Sequence, residues 1–187
     1  MLNNEQFEEK TISRKEIYSG KIIDVAVDEV RLPDGGTSKR ELVFHPGGVG
    51  IIAFDEQDRL LLVKQFRKPL EKVILEIPAG KIDPGEGQNP EMTAARELEE
   101  ETGYSAKKIS LISKFLPTPG YSDEWLYVYE AHDVYKVENP LECDEDEVIE
   151  LIKMDIDTAY HKVVNGEIFD SKTMIAILHA YINKNKS

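Results

Sequence analysis

The densest run of chemistry-bearing residues is Glu97-Leu98-Glu99-Glu100-Glu101, with Ala79-Gly80 upstream and Gly103 just downstream. Carboxylate oxygens are the ligands Mg²⁺ prefers, commonly shared with substrate phosphates. Taken alone, such a run is more often a solvated helix face. Position around a helix separates the two readings. At about 100° per residue, Met92, Ala95, Leu98 and Thr102 share one side, and Glu97, Glu100 and Glu101 converge on the other. Glu99 points toward the edge of the apolar stripe. Like charges three and four apart cost helix stability. On a wet face that cost is tolerable, and the same convergence makes a site for a hard cation.

A helix must therefore carry these carboxylates. Asn89 suits its N-cap, Pro90 its first position and Gly103 the place after its last turn. Before it, residues 21–32 (KIIDVAVDEVRL) alternate as a strand, Pro33-Asp34-Gly35-Gly36 signals a turn, and residues 38–44 return. Strands are expected at 49–54 and 59–66 around a polar turn, and at 73–77 running into Pro78-Ala79-Gly80. Further strands fall at 109–116, 124–131 and 148–154. Asp157 is expected to cap a short helix ending near Asn165-Gly166, and Asp170 or Ser171 a last one over 172–183. A sheet with few interleaved helices predicts an α+β or mixed α/β sandwich, not a Rossmann-type repeat.

Length and charge set the outer limits. A chain of 187 residues buries a real core as one domain. Lys+Arg total 23 against Asp+Glu 36, a formal net charge of -13. Such a surface repels nucleic acid and anionic membrane, so neither is an expected partner. A small phosphate ester stays open, provided metal ions or a local Arg pocket reverse the sign of the site. Cys143 is the one cysteine, so no internal disulfide forms, and a reducing cytoplasm fits. Residues 1–10 lack an apolar signal core, and no apolar run approaches a membrane span. His45, His132, His161 and His179 show no ligand spacing.

Residues 80–104 (GKIDPGEGQNPEMTAARELEEETGY) resemble the Nudix box of the Nudix hydrolase family. Gly80, Glu86, Arg96, Glu97, Leu98, Glu100, Glu101, Gly103 and Tyr104 occupy its places in order. One departure is plain: the family has seven residues between the first glutamate and the arginine, whereas Gly87 to Ala95 supply nine. Helix phase from Pro90 is untouched, while the place of Glu86 relative to the metal face stays open. The resemblance runs over nearly the whole chain. Val63-Lys64-Gln65-Phe66-Arg67, Leu75-Glu76-Ile77-Pro78-Ala79-Gly80, Pro119-Gly120 and Asp144-Glu145-Asp146-Glu147 are similar to bacterial ADP-ribose pyrophosphatases.

That resemblance implies a Nudix fold, an α/β/α sandwich with a mixed sheet, over residues 49–187. It implies an additional antiparallel β-element over 1–48 that builds a homodimer, where Ile22, Val25 and Val27 need burial. It implies Mg²⁺, with Mn²⁺ able to substitute, held by the Ala79 carbonyl, Glu97 and Glu101, with Glu100 a further ligand or water organiser. Glu147 matches the family's general base, on a loop outside the box. Arg67 matches the phosphate-binding arginine, Arg40 a second substrate-binding position, and Pro119-Gly120 the loop admitting the terminal ribose. Glu76 ends an apolar strand, where an unpaired charge is costly, so a partner or a metal is expected beside it. The implied reaction cuts the pyrophosphate of ADP-ribose to AMP and ribose 5-phosphate. Another nucleoside diphosphate sugar, or a Nudix module that senses ADP-ribose without cutting it, remains open. An acidic interaction helix explains the charge but not Gly80, Arg96 and Gly103 in register.

Overall fold

The computed structural model describes residues 5–83, 85, 89–143 and 147–186. The chain divides into two compact units, Met1–Pro46 with Leu116–Trp125, and Gly47–Phe115 with Leu126–Ser187. The first is built on an antiparallel sheet, β1 (Lys10–Ser19), β2 (Asp24–Arg31) and β3 (Thr37–Phe44), in that order. In β2 the buried side chains alternate as Ala26, Asp28 and Val30. Within one chain Ile22 is 59% exposed, and Val25 and Val27 are half-buried. The turn to β3 forms where the glycines allow it: Gly35 has φ +88°, and Gly36 N–H donates to Asp34 Oδ1 at 2.8 Å. Strand β1 was not expected from sequence. All ten of its residues are exposed, so no period-2 apolar signal marks it.

The second unit holds β4 (Gly48–Ile52), β5 (Leu60–Arg67), β6 (Lys72–Glu76), β7 (Ala79–Lys81), β8 (Tyr104–Phe115), β9 (Leu126–Lys136) and β10 (Ile149–Met154). Its helices are α1 (Pro90–Thr102), α2 (Ile156–Val164) and α3 (Ser171–Lys184). One sheet is mixed, in the order β7-β4-β9-β8, with β4 and β9 parallel and the other pairs antiparallel. The other is antiparallel, in the order β10-β5-β6.

Strand alternation then assigns the two faces. Ile51, Ala53 and Leu61 pack with Ala94 and Leu98 of α1. Ile52, Leu60 and Leu62 pack with Ile156, Ala159 and Val163 of α2 and with Ala176 and Ile177 of α3. The result is the expected α/β/α sandwich.

One helix start differs from expectation and another is as expected. Asp155 rather than Asp157 caps α2, accepting from Thr158 N–H at 2.8 Å. Of the two candidates for α3, Asp170 is the cap, accepting from Thr173 N–H at 3.0 Å. Strand β8 begins at Tyr104 because Gly103, at φ +71°, ends α1 in the left-handed region and turns the chain straight into it.

The packed face of α1 also corrects the sequence reading. Met92 is 65% exposed and Ala95 only half-buried. Leu98 and Thr102 face inward as expected, but with Ala94 and with the row Thr93-Glu97-Glu101 rather than with Met92 and Ala95. Glu97 and Glu101 are therefore buried, not on a wet face.

Candidate active site

Helix α1 and strand β7 meet around Glu97 and Glu101, which are 8% and 6% exposed. Glu101 Oε2 accepts from the Ala79 N–H at 2.9 Å, tying the helix to the start of β7. Gly80 comes next, and the reason for glycine is space. A Cβ there would lie 1.9 Å from Glu97 Oε1, inside the volume the carboxylate occupies. The residue type at position 80 thus follows from where the Glu97 carboxylate rests. Arg96 reaches both neighbours, 2.9 Å from Glu97 Oε1 and 2.6 Å from Glu100 Oε2.

The electrostatics are unusual for carboxylates beside an arginine. Burial pushes Glu97 up to about 7; Arg96 pulls against it, while Glu100 and Glu147 add to it. Burial likewise pushes Glu101 up to about 8, with the Ala79 N–H opposing and Glu97 and Glu147 reinforcing. Four acids thus act on one another within one corner. Among the described residues, no group of three or more His, Cys, Asp or Glu side chains is gathered tightly enough to hold a metal ion. The donor chemistry nonetheless fits a hard divalent cation: carboxylate oxygens, desolvated and mutually repelling, are what such an ion would bind and relieve. Glu97 and Glu101 are the residues that would hold it, with Glu100 and Glu147 acting on Glu97.

A second line of charge runs beside the first. Arg67 Nε donates to Glu76 Oε2 at 2.6 Å, and the Glu101 carboxylate acts on the same guanidinium. Glu76 is 2% exposed, and its other oxygen accepts from Lys172 Nζ at 2.5 Å. Lys172 also reaches Asp170 Oδ2 at 3.0 Å. Sequence reasoning missed Lys172 and named Asp170 only as a helix cap. A lysine opening an amphipathic helix reads as solvated, and only the packing of α3 shows it buried. Gln65 was quoted only as part of a motif, yet its Nε2 donates to Glu147 Oε1 at 3.5 Å.

Arg40, Pro119 and Gly120 belong to the first unit. There Arg40 forms a two-pronged pair with Glu9 at 2.5 and 2.8 Å. Glu86 and residues 144–146 fall outside the described residues. Cys143, exposed in the same region as Glu100, donates its thiol to the Glu100 carbonyl at 2.8 Å.

Comparison with known proteins shows the family. Residues 44–174 match the family description NUDIX domain, and residues 9–43 match the nucleoside diphosphate sugar hydrolase N-terminal domain. The chain is 47% identical over 177 residues to an ADP-ribose pyrophosphatase of Bacillus subtilis, covering 95% of each. It is 46% identical over 178 residues to a methanol dehydrogenase activator of Bacillus methanolicus, again 95% of each. A crystal structure of an ADP compounds hydrolase superposes with a TM-score of 0.80 at 19% identity, covering 95% of this chain and 96% of that one, a likeness of fold.

Proposed function

The chain belongs to the Nudix family, and we propose that it hydrolyses ADP-ribose to AMP and ribose 5-phosphate with Mg²⁺, for which Mn²⁺ substitutes. The observation that carries this is the buried Glu97/Glu101 pair beneath Gly80, with Glu147 acting on both. ADP-ribose is favoured among nucleotide sugars by the name and near full-length match of the Bacillus subtilis relative.

A bound divalent cation would supply positive charge against the diphosphate and lower the pKa of a water. Glu97, Glu101 and the Ala79 carbonyl would hold it, with Glu100 as organiser. Arg67, pre-set by Glu76 at 2.6 Å, binds the diphosphate without needing to reorganise. Glu147 takes the proton of the attacking water as its oxygen bonds to phosphorus. The bridging P–O bond breaks, and the two monophosphates leave with the charge. The family resemblance assigns Arg40, Pro119 and Gly120 to substrate binding, Glu76 to support of Arg67, and the N-terminal β-element to a homodimer in the cytoplasm.

The test is incubation of the pure protein with a panel of nucleoside diphosphate sugars. AMP release from ADP-ribose in Mg²⁺, abolished by chelator and restored by metal, is expected. Binding of ADP-ribose without AMP release would put a sensing module in its place. A monomer at micromolar concentration in sedimentation would remove the dimer.

A further inference from the structure

Gln65 stands where the strand pattern calls for an apolar side chain. Leu61, Val63 and Gln65 alternate along one face of β5, and all three are buried. Leu61 packs against α1. Gln65 is 9% exposed and sits inside the sheet, paired with Ile74 of β6 on one side and Ile149 of β10 on the other. Its Oε1 is a buried side-chain oxygen with no hydrogen-bond partner, the one such atom among the described residues.

Interiors seldom leave a polar atom in that state, because the lost hydration is not replaced. An apolar side chain of the same volume would avoid the penalty. The other end of the amide gives the reason for it. Nε2 faces Glu147 Oε1 at 3.5 Å. Turning the N–H toward a carboxylate necessarily turns the oxygen the other way, and reversing the amide would set oxygen against oxygen. The orphaned Oε1 is the consequence of aiming Nε2 at Glu147. At 3.5 Å that contact is long, as catalytic hydrogen bonds often are before substrate arrives.

We propose that Gln65 is a positioning residue, which aims the Glu147 carboxylate at the attacking water from a rigid interior strand. This rests on the reading of Glu147 as general base. Glu147 is exposed, whereas β5 is the middle strand of its sheet. A donor fixed in that strand gives an exposed carboxylate a defined direction.

Stability and turnover should therefore part company at this position. Gln65→Met keeps the volume and removes the amide. With ADP-ribose and Mg²⁺, its kcat should fall about tenfold or more while KM stays within about threefold. Its melting temperature in chelator should be unchanged or raised, since the orphaned oxygen is gone. Gln65→Glu keeps the shape but replaces the donor with an acceptor facing Glu147, and should lose at least as much kcat. Added to Glu147→Gln, Gln65→Met should cost less than about twofold more, because the carboxylate it aims is already absent. If Glu147→Gln is inactive while Gln65→Met turns over within twofold of wild type, the Gln65 proposal fails and the base reading stands. Near-normal turnover by Glu147→Gln removes the base reading and Gln65's role with it. A lowered melting point in Gln65→Met, or additive losses in the double variant, makes the residue structural and overturns the proposal.

Discussion

Two sets of buried carboxylates in the second unit are treated in opposite ways. Asp55, in the turn between β4 and β5, is surrounded by donors. It accepts from the backbone N–H groups of Gln57 and Arg59 at 3.0 Å each, from the Arg59 guanidinium at 2.7 and 3.0 Å, and from Lys153 Nζ at 3.0 Å. Burial works against its charge, yet Arg59, the turn's N–H groups and Lys153 outweigh it and hold the carboxyl well below the usual range. Glu97 and Glu101 are comparably buried, but there burial, reinforced by neighbouring glutamates, outweighs Arg96, Arg67 and the Ala79 N–H, and both are pushed up. The fold itself completes the first site. At the second, Arg96, Arg67 and the Ala79 N–H do not offset burial and mutual repulsion, an imbalance that a bound cation would relieve.

The comparison breaks most visibly at the second site. Glu97→Gln and Glu101→Gln should each cut kcat by roughly 10²–10⁴ and raise the Mg²⁺ requirement. Without metal both should stay folded, since each relieves a buried repulsion. A melt in chelator read beside turnover checks this, and loss of fold in either variant would reverse the contrast with Asp55.

Asp55→Asn should do the reverse. It leaves Lys153 and a partly exposed Arg59 without their carboxylate, so about 2–3 kcal/mol of stability is expected to go. The molecules that remain folded should turn over normally. Denaturant titration combined with active-site-normalised kinetics separates the two effects.

Gly80→Ala sets a methyl where the Glu97 carboxylate rests. It should cost about tenfold in kcat, roughly 1.4 kcal/mol, by displacing that oxygen. Wild-type turnover by the alanine variant would show that Glu97 moves aside freely.

Acidity distinguishes the two sites by sign. The Asp55 carboxyl is lowered on folding, so its stabilisation is present above the ordinary value near 3.8 and is lost as pH falls through the folded one. Glu97 and Glu101 are raised, so in chelator their contribution is full below about 4.5 and declines as pH rises toward about 7 and 8. The rise in melting temperature on adding Mg²⁺ should therefore be larger at pH 8 than at pH 6. An equal rise at both would uncouple metal from these carboxylates.

The smallest effect is expected at Glu99, which is half-buried and accepts from the Leu141 N–H at 3.3 Å. Glu99→Gln should change kcat less than about threefold. A loss equal to that of Glu97→Gln would mean that charge alone matters, not position on the helix.

The carboxylate corner was legible in the sequence because its residues are fixed by local geometry: glycine for space at position 80, glycine for a left-handed exit at 103, and glutamates one turn apart. Strand β1 was not legible. With every residue exposed, it shows no burial pattern to read. The inward face of α1 was misjudged because an apolar stripe was sought through Met92 and Ala95. The helix instead buries two glutamates, which no hydrophobic pattern rewards. Lys172 and Gln65 escaped for a related reason: their meaning depends on partners far along the chain, Glu76 and Glu147, and on burial that only packing reveals.

The excursion Leu116–Trp125 belongs to the first unit although the second surrounds it in the chain. The Val43 N–H donates to the Tyr121 carbonyl at 2.8 Å, and the His45 N–H to Asp123 Oδ1 at 3.0 Å across 78 residues. On a ribosome adding about 5–20 residues per second, strand β3 waits roughly 4–16 s for these acceptors to be synthesised. The hairpin β2-β3 is complete in sequence long before then, yet its outer edge stays open through that interval. The N-terminal unit is thus begun first and closed only after all of α1 and β8 has been made, which sets the order of assembly against the order of synthesis.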